Sequence, residues 1–360
     1  MQTQPVQSQK GEIEFRRRLY LKQVEGKTVL DDEYDASGIQ NILEGRMNDT
    51  RNQMTLLQGK GIPLSPYVEI GAERCQRSLV MENDLGAQGA AIDISYDLLK
   101  SCAHYQSVFK RSKAPLRICC DANNLPFMSG SIPFVFCYET LHHFPEPAPI
   151  TKEIHRVLAP GGYFFFDEEP YEQILHINLY KGKKIYSEQF LKRGKIRKIL
   201  DRFFCVKTCN ELEYGVIENH SIPVRAWKRA FSGFDGIDVD LKATRSIQSE
   251  LFNPSSYIKY FAAYLLGGGI SGICRKGGAG GGDVDRQFSR QNILICPSCR
   301  QAGSEKLLGR KNGSYICPEC SKRFPVIDGV SFLFAYEKFV ALYPEVLDSF
   351  LKGGISRQVK

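Results

Sequence analysis

Four cysteines near the end of the 360-residue chain have the spacing of a metal site. Cys296 and Cys299 form one C-x-x-C pair, and Cys317 and Cys320 form a second pair after 17 intervening residues. Each pair places two thiolates on a tight turn, and two such turns complete a tetrahedral all-sulfur site for zinc. The site has no open position, so the metal would be structural. Disulfides or redox pairs are the competing interpretation, and iron is the competing metal.

Acidic residues stand where two predicted strands end. Asp93 follows the apolar run Ala90–Ile92, and Asp121 follows Leu116–Cys120. A carboxylate at the first position can accept both hydroxyls of a ribose, and one at the second can accept an exocyclic amine. Alternatively, each Asp only caps the helix that follows it. Because parallel strands end along one edge of a sheet, the two carboxylates are expected to converge on one crevice.

The loop after the first predicted strand is the expected cofactor loop. Gly71 lets the backbone turn tightly beneath a ligand, and the N–H groups that open the next helix can bind a carboxylate or phosphate. The G-x-G-x-x-G pattern of dinucleotide-binding folds is absent, and Glu73 would repel a pyrophosphate. Glu69 and Glu73 instead suit a cofactor that carries an ammonium group and no phosphate.

Three candidate catalytic residues, Glu139, His142 and His143, follow the fourth predicted strand. A histidine with a pKa near neutrality can take a proton from a hydroxyl or amine while a group is transferred. We place His143 nearer the acceptor. Alternatively, residues 141–144 only turn the chain into the next helix, and catalysis depends on positioning alone.

Short apolar strands must position these residues. Five runs alternate with segments of helical period: Tyr67–Ile70, Ala90–Ile92, Leu116–Cys120, Phe134–Cys137 and Tyr163–Phe166. This alternation predicts an α/β fold with a Rossmann-like, doubly wound and mostly parallel sheet. Gly236–Asp240 and Gly269–Cys274 predict two further strands, and Tyr257–Leu266 predicts a helix between them.

Composition limits the remaining choices. The apolar fraction of 42% supports a real core, and the length indicates about two domains. No apolar run is long enough for a membrane span, and Met1–Lys10 lacks an apolar signal core, which favours a soluble, cytoplasmic protein. Eight scattered cysteines suit buried thiols. The net charge of +8 is concentrated in Lys181–Lys207, which contains ten Lys and Arg residues and only two acidic residues.

Several of these motifs together resemble the class I S-adenosylmethionine-dependent methyltransferases of the type 11 kind. They are Gly71, Asp93, Asp121–Phe127, Tyr138–Phe144 and Glu153–Gly162. The resemblance implies a seven-stranded sheet, with methionine at the first loop, ribose on Asp93 and adenine near Asp121. The cofactor-binding residues that it implies are Glu69, Gly71, Ala72, Glu73, Asp93, Ile94, Asp121, Ala122 and Tyr138.

The chain departs from this family pattern in two places. Glu73 and Cys75 stand where the family has loop glycines, and Pro133 stands where it has an acid. A non-glycine residue at a positive φ costs on the order of 1 kcal/mol. The departures at Glu73 and Cys75 therefore bear directly on cofactor affinity.

Residues Phe324–Phe332 are similar to the zinc-ribbon activator subunit of tRNA, rRNA and release-factor methyltransferases. There a separate subunit docks on the enzyme, and here both parts share one chain. The expected contact consists of Val330, Phe332, Leu333 and Phe334. The predicted order is a helical segment (1–66), a methyltransferase domain (67–275) with a basic insert (171–233), a Gly-rich linker (276–290), a zinc ribbon (291–335) and a helical tail (336–360).

These features favour methyl transfer to a small or lipid- or sugar-linked metabolite. An RNA or translation-factor methyltransferase is the first alternative, and a non-catalytic scaffold is the second. The basic insert could hold a phosphate, RNA or an anionic membrane surface, or it could form a solvated helix with its lysines outward. RNA is not the favoured partner, because no recognised nucleic-acid module accompanies the insert.

Overall fold

The computed structural model describes residues 6–25, 36–172, 222–244, 246–278 and 293–352. The basic run Lys181–Lys207 and most of the predicted Gly-rich linker lie outside the described residues. The RNA, phosphate and membrane roles considered for that run therefore stay predictions.

Strands and helices alternate through the first half of the chain. The strands are β1 (Tyr67–Ile70), β2 (Gly89–Asp93), β3 (Leu116–Cys119), β4 (Ile132–Tyr138), β5 (Leu158–Tyr171), β6 (Gly236–Lys242), β7 (Gln248–Glu250), β8 (Gly268–Arg275), β9 (Gly309–Lys311), β10 (Ser314–Ile316), β11 (Arg323–Phe324), β12 (Val326–Ile327) and β13 (Val330–Phe332). The helices are α1 (Val6–Val24), α2 (Ala36–Gly59), α3 (Gln76–Asn83), α4 (Tyr96–Val108), α5 (Pro147–Val157), α6 (Val224–Phe231), α7 (Tyr257–Leu266), α8 (Pro297–Gln301), α9 (Tyr336–Leu342) and α10 (Pro344–Lys352).

One sheet of ten strands organises the molecule, in the order β12-β13-β3-β2-β1-β4-β5-β8-β6-β7. Strands β3, β2, β1, β4 and β5 pair in parallel, and β8 runs antiparallel between β5 and β6. The seven predicted strands are all present, which confirms the Rossmann-like fold. Three strands that were not predicted as part of this sheet extend it, β7 at one edge and β12 and β13 at the other.

The centre of the sheet is buried on both faces, as the continuous apolar runs predicted. All four residues of β1 are buried, with β2 on one side and β4 on the other. Gly89 lies opposite Tyr67, and a Cβ at Gly89 would lie 2.4 Å from the Tyr67 carbonyl oxygen. The close pairing of β1 with β2 therefore requires glycine at this position.

Helix α6 corrects the predicted extent of the basic insert. The sequence analysis assigned residues 171–233 to the insert, but α6 packs into the core. Trp227 is fully buried and stacks against Phe231, with ring centroids 5.8 Å apart. The helical spacing of Val224, Trp227 and Phe231 was the signal that the sequence analysis missed.

The C-terminal segment completes the sheet rather than forming a separate body. Strand β13 pairs in parallel with β3, and the Leu333 amide donates to the Cys119 carbonyl at 2.9 Å. Val330, Phe332, Leu333 and Phe334 are all buried, which confirms the predicted contact.

The tail packs on the body as predicted. Phe339, Leu342 and Leu347 are buried, and Arg17 of α1 lies 3.0 Å from Glu345 and 3.4 Å from Asp97. Helix α1 is therefore held between the tail and the body of the fold. Among the described helices, none combines the length and the apolar character needed to cross a membrane.

Candidate functional site

A cavity of about 550 Å³ lies at the carboxyl ends of the central strands. It opens where the strand order reverses between β1 and β4, which is the usual ligand site of open α/β sheets. Ten of the predicted site residues line it: Gly71, Glu73, Asp93, Ile94, Asp121, Ala122, Tyr138, Glu139, His142 and His143. Helices α1 and α2 also contribute lining residues, including Arg16 and Arg46. The predicted carboxylates and histidines therefore do converge on one crevice.

Two predicted cofactor residues, Glu69 and Ala72, are buried but are not among the lining residues. The Ser78 hydroxyl donates to the Glu69 carboxylate beneath the loop. Burial raises the pKa of Glu69 to about 7. Glu69 is thus engaged inside the fold, and the expected contact between its carboxylate and a cofactor ammonium group is not supported by its position.

The first loop bends through three residues with positive φ. Gly71 has φ 68°, Glu73 has φ 46° and Cys75 has φ 61°. A Cβ at Gly71 would lie 2.2 Å from Thr140 Oγ1, so this position needs glycine. The prediction that Cys75 occupies a position of positive φ is confirmed. Each non-glycine residue there stores on the order of 1 kcal/mol of strain.

Arg46 of α2 binds two of the acids at the rim of the cavity. One guanidinium nitrogen lies 2.9 Å from Glu73, and another lies 2.9 Å from Glu139. Burial opposes ionisation of Glu73, but Arg46, Arg16 and neighbouring guanidinium groups outweigh it and lower the pKa to about 2. Glu73 is therefore a stable anion that already has a partner.

Asp93 is arranged to accept further donors. The amide of Glu73 donates to one carboxylate oxygen at 2.9 Å, and that of Ser95 donates to the other at 2.8 Å. Burial raises the pKa of Asp93 to about 6, and these two amide donors offset the effect only in part. A carboxylate has about four lone-pair sites, so two stay open to a diol. The geometry fits the predicted ribose contact.

Asp121 has a partner that sequence reasoning missed. Lys338 of α9 forms an ion pair with one oxygen of Asp121, and Gln9 of α1 donates to the other at 3.4 Å. The Asn123 amide also donates to Asp121, at 3.0 Å. The carboxylate predicted to meet the adenine is therefore held by the first and the last parts of the described chain. No local pattern in the sequence signals the contact with Lys338.

His142 and Glu169 form a buried pair at the end of the cavity opposite Asp121 along the sheet. His142 Nδ1 lies 3.0 Å from the Glu169 carboxylate, which also accepts the amides of Thr140, Leu141 and His142 at 2.6, 2.8 and 3.1 Å. In the tautomer in which Nδ1 carries the hydrogen, the ring donates to this carboxylate and Nε2 is the basic nitrogen. Glu169 was not predicted, although the acidic run 167–169 at the end of β5 was a signal.

Two buried arginines of the first loop and α3 also line the cavity. The Nε atoms of Arg74 and Arg77 are buried and have no partner among the described residues. The Arg77 guanidinium lies over the Tyr138 ring at 4.1 Å, and one of its nitrogens is 3.5 Å from Glu168. A buried N–H donor without a partner costs free energy of folding. The part of the cavity lined by Arg74 and Arg77 therefore suits an anionic ligand group such as a carboxylate.

The four cysteines of the C-terminal segment come together as predicted. Their sulfur atoms all lie within 4.8 Å of one another. The Cys296–Cys320 and Cys299–Cys317 sulfur distances are 3.6 and 3.7 Å. These distances are too long for disulfides, and a tetrahedral zinc with bonds of about 2.3 Å would separate its thiolates by about 3.8 Å. The donor set and its geometry therefore fit zinc.

The fold and the cavity together define the class: a Rossmann-like α/β protein with a nucleotide-type crevice at the switch point of its sheet. Residues 68–166 match the family described as a methyltransferase domain. The matched residues contain nearly all of β1, strands β2 to β4 and the part of β5 up to Phe166, which build the crevice.

Curated relatives match over the same part of the chain. An uncharacterised chloroplastic methyltransferase of Arabidopsis thaliana is 35% identical over 91 residues, which cover 24% of this chain and 25% of the relative. A ubiquinone biosynthesis O-methyltransferase of Xanthomonas oryzae pv. oryzae is 33% identical over 81 residues, which cover 22% of this chain and 34% of the relative. The chain thus spans about a quarter to a third of the length of these relatives. The predicted cytoplasmic location stays a prediction.

Among solved structures, a chain from a complex of the Haloferax volcanii Trm112 methyltransferase activator with a methyltransferase aligns with a TM-score of 0.39 and 17% identity. The alignment covers 70% of this chain and 100% of that one. A sarcosine dimethylglycine methyltransferase from Galdieria sulphuraria aligns with a TM-score of 0.43 and 14% identity, over 73% and 98% of the two chains. Similarity at this level does not bear on the acceptor or on a partner.

Proposed function

We propose that this chain is an S-adenosylmethionine-dependent methyltransferase that acts on a small or lipid- or sugar-linked acceptor. The observation that carries the proposal is the convergence of ten predicted site residues on one cavity at the switch point. All ten lie between residues 68 and 166, the region that matches a methyltransferase domain. Its volume is ample for a nucleoside cofactor with part of an acceptor beside it.

Residues along the sheet edge would hold the cofactor in one orientation. Asp93 would accept the ribose hydroxyls, and Ala122 and Ile94 would lie beside the adenine. Arg77 would bind the methionine carboxylate, because its buried guanidinium lines the opposite end of the cavity. When bound, the cofactor supplies an electrophilic methyl group on a sulfonium. The chain contributes the orientation of cofactor and acceptor.

His142 is the proposed general base. As the acceptor oxygen gains the methyl group, its proton would pass to Nε2 of His142. Glu169 would hold the imidazole by Nδ1 and stabilise the resulting positive charge, since its carboxylate is buried beside the ring. A base is needed most for a hydroxyl acceptor, so the pair favours an oxygen nucleophile. His143 also lines the cavity, and Glu139 is engaged by Arg46.

The C-terminal ribbon is proposed to be a built-in activator whose four cysteines bind structural zinc. It supplies β13 to the edge of the sheet, and helix α9 places Lys338 on Asp121. The Tyr336 amide donates to Ser298 Oγ at 3.0 Å, which ties α9 to the first cysteine knuckle. The ribbon is thereby connected to the cofactor crevice by direct contacts.

Calorimetry with S-adenosylmethionine and with its demethylated product tests the proposal. The full chain should bind both, and Asp93→Asn should weaken both by at least about tenfold, since two hydrogen bonds to a charged acceptor are lost. Cell extracts incubated with the labelled cofactor then identify the acceptor. The absence of heat and of a thermal shift at millimolar ligand would instead favour a non-catalytic scaffold.

A further inference from the structure

Helix α7 presents an unusual apolar surface. Tyr257 is 79% exposed, Ile258 83%, Phe261 62% and Leu266 42%. Tyr257, Ile258 and Phe261 lie on the outer side of the helix, while Ala263 faces the core and is fully buried. A cluster of exposed aromatic and aliphatic side chains of this kind marks an interaction surface in a water-soluble fold.

The helix is firmly attached and its exposure is not the result of fraying. Ser256 caps its first turn, and its side chain accepts the Lys259 amide. The Tyr171 hydroxyl of β5 donates to the Ala263 carbonyl at 2.7 Å. The Gly267 amide closes the last turn on the same carbonyl at 2.9 Å. The apolar face is therefore a fixed part of the surface.

Lysines flank this face, whereas the adjoining strand β7 ends in the exposed acid Glu250. Residues 251–268 contain no Asp or Glu, and Lys259 is exposed among the apolar side chains. Lys228 of α6 lies over the ring of Tyr260 at 5.5 Å.

The helix also ends at the mouth of the cavity. Leu266 is followed by Gly267, and then by Gly268 and Gly269, both of which line the cavity. Gly268 pairs with Tyr171 at the end of β5, two residues beyond Glu169. A molecule held against α7 would therefore be close to the end of the cavity that contains His142.

We propose that α7 docks on an anionic lipid bilayer and that the acceptor is lipid-soluble, entering the cavity from the bilayer past Gly268 and Gly269. Exposed aromatic and aliphatic side chains with flanking lysines are the features that hold a helix in the headgroup region. The docking surface stands on the exposure and charge of α7, whereas the substrate class rests on the proposed function.

Vesicle sedimentation of the full chain tests the docking surface. The wild type should pellet with vesicles of phosphatidylcholine and phosphatidylglycerol, and less with phosphatidylcholine alone. The double variant Ile258→Asp, Phe261→Asp should lose at least about tenfold in partitioning, because two anchors are replaced by charges that anionic lipid repels. Leu56→Asp, at a residue of α2 that is 68% exposed, is the matched control and should bind as the wild type does.

A direct depth measurement keeps the test independent of the stability of the Asp variants. The chain has one tryptophan, Trp227, which is fully buried. In Ile258→Trp, a second indole should shift its emission to the blue with anionic vesicles and be quenched by brominated acyl chains. Leu56→Trp should show neither change.

Three results would overturn the proposal: no vesicle binding by the wild type, equal binding by the double variant, or a wild-type dimer that the double variant converts to a monomer. The last would assign α7 to a second copy of the chain. Cofactor calorimetry is run in parallel, because vesicle binding without cofactor binding would refute the proposed function and leave the docking surface standing.

Discussion

His142 Nδ1 lies 3.0 Å from the carboxylate of Glu169, and both side chains are buried at the edge of the cavity. The two residues are 27 positions apart and come from the ends of neighbouring parallel strands. The carboxylate fixes the ring through Nδ1 while its other contacts are backbone amides. The pair is therefore oriented before any ligand arrives, as a general base requires.

Replacing His142 by Ala should reduce methyl transfer by about 10²-fold or more, because the base is removed. Glu169→Gln should reduce it less, because the ring remains but loses the anionic partner of Nδ1. Cofactor affinity should stay within about twofold in both variants, since neither residue is proposed to hold the cofactor. Turnover is measured on the acceptor found in the extract screen. Unchanged turnover in both His142→Ala and His143→Ala would remove the base from the mechanism.

Cofactor affinity should depend on pH through Asp93. Burial raises its pKa to about 6, and ribose hydroxyls donate to the ionised form. Affinity should be constant above about pH 7 and should weaken by up to about tenfold per unit below about pH 6. The folded chain also holds this proton more tightly than the unfolded chain, so the contribution of Asp93 to stability falls as the pH rises toward 6. Calorimetry at several pH values should show a flat profile for Asp93→Asn, and an unchanged slope would assign the titration elsewhere.

Lys338→Met should destabilise the fold by about 1–3 kcal/mol and weaken cofactor binding, because it leaves the Asp121 carboxylate buried without its cation. Lys338→Arg should recover most of both losses. Glu337→Ala, at an exposed neighbour on the same helix, is the control and should change neither. Denaturant unfolding and calorimetry provide the two readings. If Lys338→Met bound the cofactor with wild-type affinity, the contact from the C-terminal segment would have no role in cofactor binding.

Removal of one cysteine ligand should release the metal and lower the melting temperature. Cys317→Ser leaves three thiolates, and the two knuckles lose the ion that joins them. Metal analysis of the purified wild type should show one zinc for each chain, by the ligand count. Glu319→Ala changes an exposed residue of the same knuckle and should retain the zinc. A metal-free wild type with an unaltered melting curve would contradict the assignment.

Cys75 offers a measure of the strain in the first loop. Its φ is 61°, so Cys75→Gly should be more stable than Cys75→Ala by about 1 kcal/mol. Cys102 is the matched control, because it is also a buried thiol but lies inside helix α4. There the order should reverse, with Ala more stable than Gly by about 1 kcal/mol. Denaturant unfolding of the four variants gives both differences. If the Ala variant were the more stable one at both positions, the loop would be unstrained.

Features set by local sequence could be predicted. The apolar runs predicted the parallel strands, and the C-x-x-C spacing predicted the cysteine cluster. The helix Tyr257–Leu266 has the predicted bounds. The glycine positions of the resembling family gave the positive φ of Cys75. In each case the residues that decide the structure lie within one turn or one strand, so their types carry the information.

Contacts between distant segments could not be predicted in this way. Lys338 and Asp121 are 217 positions apart, and Arg46 reaches Glu139 across 93 positions. A lysine on an amphipathic helix usually points into solvent, where it can take many conformations. The packing of α9 is what brings Lys338 to Asp121. Glu69 shows the reverse case, since its position suggested the cofactor but Ser78 holds it beneath the loop.

The pairing of β13 with β3 also has a consequence for the order in which the protein is made. Strand β3 leaves the ribosome long before Val330, and on that side no other described strand pairs with it. In the interval, its amides and carbonyls form an open edge on which another nascent chain could add a strand. The closing strand lies just beyond the cysteine knuckles, so capture of the metal and protection of this edge would be completed at nearly the same stage of synthesis.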